Sequence, residues 1–437
     1  MTEQVLPTVM RRLRWLLTRA NLCLALGLAA TLVSLPAQAV TYYKITDFTK
    51  LYPGQPNSGG FTPTAINNNG LVLGYFNEQL WWWSSQYTPT YKLFNSRTGK
   101  FSDVHLVNGK YYFAADINNL GQSVGAVAAS LDFIDIIDPT LLYIRNLNGS
   151  ADLLGTFTRT NPQTSVRART VEPKAINDNG KITFNSVNFN NYIYGYKSYA
   201  SKATGSGFYP LVSLEGPKGI VISNSLNNRS QVVGWSTINS LNPGPSGVSI
   251  SHAFISLPFS GKLADLHRAN WPKRPGFDSM ANSLTDAGMV AGNYTYATGV
   301  RSFVAPYGTP YQRAVVWDTV KNTAKVLGDK LTPRKSATLS DINQSNQVVG
   351  KEVTYSGHGD AISHGTETRM DGSEHALVGD VASGQLVNLN GVLLGNPDML
   401  RLVEATKINN AGQILAKALE ATVNAPHYLL LTPVQVP

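Results

Sequence analysis

Ala65-Ile66-Asn67-Asn68-Asn69-Gly70-Leu71-Val72-Leu73-Gly74 decides the fold, because the chain writes this phrase seven times. The other versions are Asp116–Gly125, Ala175–Ile182, Ser225–Gly234, Ser283–Gly292, Asp341–Gly350 and Lys407–Ala416. Their aliphatic anchors are Ile66, Ile117, Ile176, Leu226, Leu284, Ile342 and Ile408, spaced 51, 59, 50, 58, 58 and 66 residues apart. An aliphatic residue followed by Asn ends one strand. The next residues supply the positive backbone angles of a tight hairpin. A short apolar stretch begins the second strand, and its closing Gly lets backbone approach backbone.

Two weaker echoes follow each copy. One is an apolar strand opened by His252-Ala253-Phe254, His375-Ala376-Leu377 or His427-Tyr428-Leu429, with Arg313-Ala314-Val315 in the same place. The other is a Gly turn before a strand ending in a Leu-like residue, as in Gly261–Leu266 and Gly384–Leu389. Four strands per repeat, repeated seven times, predict an all-β fold, a seven-bladed β-propeller. An open β-solenoid is the rival. The seventh copy stops after its third strand, and the missing type appears at Tyr42–Phe48, so this N-terminal strand is expected to complete the last blade.

Composition agrees. The chain has 437 residues, 43% of them apolar and only 14% charged, too few charges for a coiled coil or a charge-driven disordered chain. Arg11, Arg12, Arg14 and Arg19, the apolar stretch Leu22–Leu35 and Ala37-Gln38-Ala39 predict a signal peptide over 1–39, cleaved after Ala39. The alternative is a membrane anchor, for which the apolar run is short. Met10 is an alternative start. Residues 40–437 are then a single propeller domain, exported to the periplasm or outside the cell. Cys23, the only cysteine, lies inside the signal, so the mature chain has no thiol for disulfide, metal or catalysis. Losing Glu3 and the four arginines takes the net charge from +9 to +6. No Lys/Arg run marks a nucleic-acid site, and a monomer is expected.

The Ile-Asn-x-x-Gly-x-Val-x-Gly phrase followed by His-Ala-Phe resembles the HAF-repeat family of bacterial extracellular proteins. The resemblance spans about 40–437 and implies export and a repeat fold, with no catalytic set to carry over. Copy three departs after Ile182, and copies two, three and five lack the His.

Strand parity puts the first and third turns of each blade on one face and the long second connections on the other. These connections (75–90, 126–140, 235–251, 293–312 and 351–374) are the expected binding face. The first carries Trp81, Trp82 and Trp83 with Tyr87, rings able to stack on sugars, anchor a protein or wedge between blades. The last carries His358, Asp360, His364, Glu367, Asp371 and Glu374, candidate ligands or acid–base groups in a solvated loop, with a spacing that matches no zinc signature. His252, His375 and His427 read as structural hydrogen-bonding groups, and the aspartates at 116, 178, 286 and 341 as turn residues.

The leading expectation is a secreted, non-catalytic propeller binding polysaccharide or an envelope protein. The alternatives are a propeller lyase or hydrolase acting on an acidic glycan through Tyr294, Arg301, His358 and His364, and a structural surface protein. No cofactor and no metal are expected.

Overall fold

In a computed structural model the described residues are 41–51, 60–79, 87–104, 112–127, 140–157, 171–190, 193–204, 207–217, 219–238, 250–267, 278–297, 310–328, 335–354, 373–396, 398–420 and 426–434. The expected signal peptide lies outside them, and Tyr42–Pro437 is one compact unit. Among the described residues no helix is long and apolar enough to cross a membrane.

The strands fall into seven four-stranded antiparallel sheets. The chain enters with β1 (Tyr42–Asp47). Blade 1 is β2 (Thr62–Ile66), β3 (Leu71–Gln79), β4 (Tyr87–Asn95) and β5 (Lys100–Asp103). Blade 2 is β6 (Tyr112–Ile117), β7 (Ser123–Val127), β8 (Thr140–Arg145) and β9 (Ala151–Phe157). Blade 3 is β10 (Val171–Ile176), β11 (Ile182–Asn190), β12 (Ile193–Ser201) and β13 (Phe208–Pro210). Blade 4 is β14 (Val221–Leu226), β15 (Val232–Thr237), β16 (Ser251–Ser256) and β17 (Leu263–Asp265). Blade 5 is β18 (Asp278–Leu284), β19 (Met289–Ala297), β20 (Pro310–Asp318) and β21 (Thr323–Val326). Blade 6 is β22 (Lys335–Ile342), β23 (Gln347–Thr354), β24 (Glu374–Asp380) and β25 (Gln385–Asn388). Blade 7 is β26 (Leu400–Ile408), β27 (Ile414–Glu420) and β28 (Pro426–Val434), completed by β1. The seven-bladed propeller expected from the repeat is therefore present, and every predicted anchor ends the first strand of its blade.

Closure is antiparallel, from Tyr42 opposite Val434 to Asp47 opposite Leu429. Pairing the two ends of the chain removes two sheet edges at once. Tyr43 N–H donates to the Val392 carbonyl (2.9 Å), and Leu394 N–H donates to the Tyr43 carbonyl (2.8 Å). Phe48 is fully buried edge-on against Phe61 and Phe94, with ring centroids 5.1 Å apart in both pairs.

The core lies between blades. Alternation along each strand sends one set of side chains to each neighbour. Seven apolar layers result, one per interface. Val316, Leu339, Val348 and Leu377 join blades 5 and 6, and Trp317, Val233 and Leu284 join blades 4 and 5.

Each first strand carries a β-bulge two residues before its anchor, as between Leu339 and Asp341. The bulge turns the strand end toward the axis. The Gly that closes the phrase faces it. A Cβ on Gly350 would collide with the Thr338 carbonyl oxygen, and one on Gly234 with that of Ile222.

The long connections are shorter than expected, because the strands continue into them. β3 and β4 pair as far as Gln79 opposite Tyr87, and β19 and β20 as far as Ala297 opposite Pro310. Aromatic and β-branched residues, Tyr75 and Phe76 in β3 and Tyr294, Thr295 and Tyr296 in β19, carry part of each extension, and the β3 ladder runs on through the polar Asn77–Gln79.

Candidate functional site

The seven hairpins between first and second strands meet around the propeller axis. The Asn after each anchor organises its own turn. Asn67 Oδ1 accepts from Asn69 N–H (3.0 Å) and Leu71 N–H (2.9 Å), an arrangement available to a short amide side chain. The turn then takes a positive φ, at Gly70 (75°), Gly121 (77°), Gly180 (67°), Ser230 (59°), Gly288 (88°), Asn346 (62°) and Gly412 (75°).

The same Asn ties its hairpin to the next. Asn67 Nδ2 donates to the Asn118 carbonyl (2.9 Å), Asn118 to Asn177 (2.9 Å), Asn177 to Asn227 (2.9 Å) and Asn227 to Thr285 (3.1 Å). Asn343 donates to Asn409 (3.0 Å), and Asn409 back to Asn67 (3.1 Å). Thr285 has no amide, so the step from blade 5 to blade 6 is missing. Its hydroxyl only accepts from Met289 N–H (3.1 Å).

A second ring is complete. Asn68 N–H donates to Asn119 Oδ1 (2.8 Å), Asn119 to Asp178 (2.8 Å), Asp178 to Asn228 (2.9 Å) and Asn228 to Asp286 (2.8 Å). Asp286 donates to Gln344 Oε1 (3.0 Å), Gln344 to Asn410 (3.0 Å) and Asn410 to Asn68 (2.8 Å). Each of the seven tips thus hands its backbone proton to the side chain of the next blade.

These rings frame an axial cavity of ≈ 170 Å³. Below the tips, the residue before the anchor lines it in six of the blades: Ala65, Asp116, Ser225, Ser283, Asp341 and Lys407. Asp116 Oδ2 accepts from Ile176 N–H of the next blade (3.0 Å). Asp341 Oδ2 accepts from Ile408 N–H (2.9 Å), and its Oδ1 accepts from the Ser283 hydroxyl (2.5 Å). The four aspartates are therefore not explained by turn geometry alone. Asp116 and Asp341 staple one blade to the next, and Asp178 and Asp286 belong to the outer ring. Desolvation holds the Asp116 carboxyl above the ordinary carboxylate range, Asp341 adds to this, and Lys407 and the backbone donors Ile176 and Ile117 oppose it. The Lys407 ammonium makes no hydrogen bond to any described residue. With Asp178 and Asp286, the cavity wall holds four carboxylates against one ammonium, net −3, in a chain whose net charge is +9.

Many of the residues singled out from sequence lie outside the described residues, and others sit away from the axis. Trp81, Trp82, Trp83, Arg301, His358, Asp360 and His364 lie outside the described residues. Tyr87 opens β4. Tyr294 sits in β19 opposite Arg313 and packs on the apolar layer between blades 4 and 5, so it does not join a set of loop residues at the axis. The recurrent histidines are structural in two blades. His252 Nδ1 pairs with Asp265 (3.0 Å) and His427 Nδ1 with Asp47 (2.9 Å). His375 lacks that carboxylate, because Asn388 occupies the place two register steps along, and its Nδ1 is buried without a partner. His267 stacks on His252 at 4.0 Å and bonds Ser279 Oγ (2.9 Å). Among the described residues no group of three or more His, Cys, Asp or Glu could hold a metal ion.

No family model and no curated protein matches the chain. Solved structures do. The β-propeller domain of the Trilobed protease from Pyrococcus furiosus, described as having an open velcro topology, is 9% identical, with a TM-score of 0.49 over 90% of this chain and 95% of that one. Pyrococcus horikoshii acylaminoacyl peptidase is 10% identical, with a TM-score of 0.49 over 86% of this chain and 52% of that one. A putative TolB from Agrobacterium tumefaciens is 10% identical, with a TM-score of 0.35 over 79% of this chain and 98% of that one. The chain thus spans about half the length of the acylaminoacyl peptidase. These names correct the polysaccharide or envelope-protein expectation: the similar propellers are those of peptidases and a TolB, and none is named for a polysaccharide. At such identities the likeness is one of fold.

Proposed function

We propose that this chain is a ligand-binding propeller that takes a small polar molecule at its axis, on the hairpin face. One observation carries the reading. The two hydrogen-bonded rings fix a polar cavity of ≈ 170 Å³ whose wall bears charges of both signs. Bonds between blades fix this geometry before any ligand arrives, so little ordering is left for binding to oppose. The volume is below the few hundred Å³ of pockets for drug-sized ligands, so it suits a molecule of a few heavy atoms. Export and membership of the HAF-repeat family belong to the same proposal. They rest on the basic and apolar leader, on Ala37-Gln38-Ala39 and on the repeated phrase.

The test is a thermal-shift screen of the purified protein against amino acids, diamines, small carboxylates, sugars and nucleosides. Ser225→Trp, which puts an indole into the cavity, is the paired control. The expected result is a rise in melting temperature with one chemical class that vanishes in Ser225→Trp. A shift that persists in Ser225→Trp places the site elsewhere and refutes the reading.

A further inference from the structure

The charges on the cavity wall are not spread evenly. Asp341, Lys407 and Asp116 come from blades 6, 7 and 2, with only Ala65 of blade 1 between the last two. On the opposite side of that layer the wall has Ser225 and Ser283, neither of them charged. Asp116 feels both Lys407 and Asp341, so the three groups form one electrostatic unit.

Their bonding differs. The two aspartates already accept backbone N–H bonds on the strand side, which fixes their position and leaves further lone pairs. The Lys407 ammonium has three donors and no hydrogen-bond partner among the described residues. Its Nζ is not fully buried and lines the cavity, so it is open to an acceptor that a ligand brings. Near it, the wall as a whole is negative. A ligand that is only an anion meets four carboxylates, and one that is only a cation leaves Lys407 unpaired. A molecule carrying both signs a few ångströms apart satisfies both sets.

We infer that the axial cavity binds an ammonium–carboxylate zwitterion of amino-acid size, its carboxylate on Lys407 and its ammonium on Asp116 and Asp341. This deepens the proposed function and rests on the axial site being the binding site. An α-amino acid of modest side chain is the class that fits. The cavity offers little room for the rest of a polymer, and one water's share of liquid volume is about 30 Å³.

Isothermal titration of the purified protein tests this with three probes: the α-amino acid giving the largest thermal shift, its methyl ester and its N-acetyl derivative. The ester removes the carboxylate charge, and acetylation removes the ammonium. The parent protein is expected to bind the amino acid at least tenfold more tightly than either derivative. Lys407→Met is expected to lose the preference over the ester, and Asp116→Asn the preference over the N-acetyl form. Lys407→Arg, which keeps the charge, is expected to bind. Melting curves of Lys407→Met and Lys407→Arg recorded beside the titrations separate lost binding from lost fold: both are expected to melt as folded proteins, and only Lys407→Met to lose the preference. Equal affinity for amino acid and ester, or for amino acid and N-acetyl form, overturns the inference. So does a screen in which no amino acid shifts the parent while another compound does and loses its effect in Ser225→Trp; the axial site then survives and the zwitterion does not. A screen in which no compound shifts the parent overturns both.

Discussion

Asn409 carries more of the ring than any contact visible in its own blade. Its Oδ1 accepts from Ala411 N–H (3.1 Å) and Gln413 N–H (2.9 Å). Its Nδ2 donates to Gln413 Oε1 (2.8 Å) and, across the closure seam, to the Asn67 carbonyl (3.1 Å). The residue is 2% exposed, so water does not replace these partners in Asn409→Ala. At about 1 kcal/mol net for each bond, the loss is about 4 kcal/mol. Unfolding entropy near 2.1 cal/mol/K per residue, over roughly 400 residues, makes this a fall of about 5 °C in melting temperature. Position 285 runs the experiment in reverse. Thr285 keeps one of the four bonds, so Thr285→Asn is expected to gain two, to Ala287 N–H and the Asn343 carbonyl, and about 2 kcal/mol. Urea unfolding followed by tryptophan fluorescence reads both, with Trp317 fully buried as a reporter. A cost below about 1 kcal/mol for Asn409→Ala, or no gain for Thr285→Asn, refutes the idea that these amides hold the blades together.

Four further outcomes follow from the same structure. Deleting 42–48 is expected to cost far more than a frayed end, about 4 kcal/mol from Tyr43 and Phe48 burial alone, and an unchanged melting curve contradicts closure by β1. Gly350→Ala forces a Cβ into the Thr338 carbonyl and is expected to cost about 2 kcal/mol, whereas Gly391→Ala, with open space around it, stays within about 0.5 kcal/mol in the same urea titration. Ser230→Gly relieves a side chain held at φ 59° and is expected to stabilise by up to about 1 kcal/mol, read as a rise in the urea midpoint. Asp116 holds its proton more tightly when folded than when unfolded, so the stability it contributes is present at low pH and lost as pH rises through its raised folded value. Asp116→Asn, which keeps an acceptor for Ile176 N–H, is therefore expected to melt above the parent at neutral pH and to converge with it toward the ordinary carboxylate range.

The propeller was legible because its signals are local. Asn and Gly at fixed places mark each hairpin, aliphatic anchors mark each strand end, and Tyr42–Phe48 supplies the strand the seventh repeat lacks. The axial site was not, because its bonds join residues 50 to 66 positions apart, or 342 across the seam. A signal was nevertheless present. The second residue after every anchor is Asn68, Asn119, Asp178, Asn228, Asp286, Gln344 or Asn410, each with a side-chain oxygen able to accept from a neighbouring tip. A turn needs one such group within itself; seven in register ask for partners between turns. The aspartates at 116 and 341 were assigned to the turn because they adjoin it, although their acceptors reach the next blade. The Trp81–Trp83 and His358–His364 segments are conspicuous by residue type, but the repeated phrase sets no position for them.

Amide exchange at the hairpin tips tests the closed ring most directly. Asn68, Gln344 and Asn410 are exposed, and ordinary exposed turns exchange their amide protons quickly. Here each of these N–H groups donates to a side chain of the next blade. Residue-resolved hydrogen exchange is expected to find all seven tip amides protected nearly as well as the strands that flank them, with protection at Gln344 lost in Asn410→Ala, which removes its acceptor, while Asn68 keeps Asn119 Oδ1. Tip amides that exchange as fast as those of Asn148 or Ala382, exposed residues of the outer turns, would contradict a hydrogen-bonded ring around the axis.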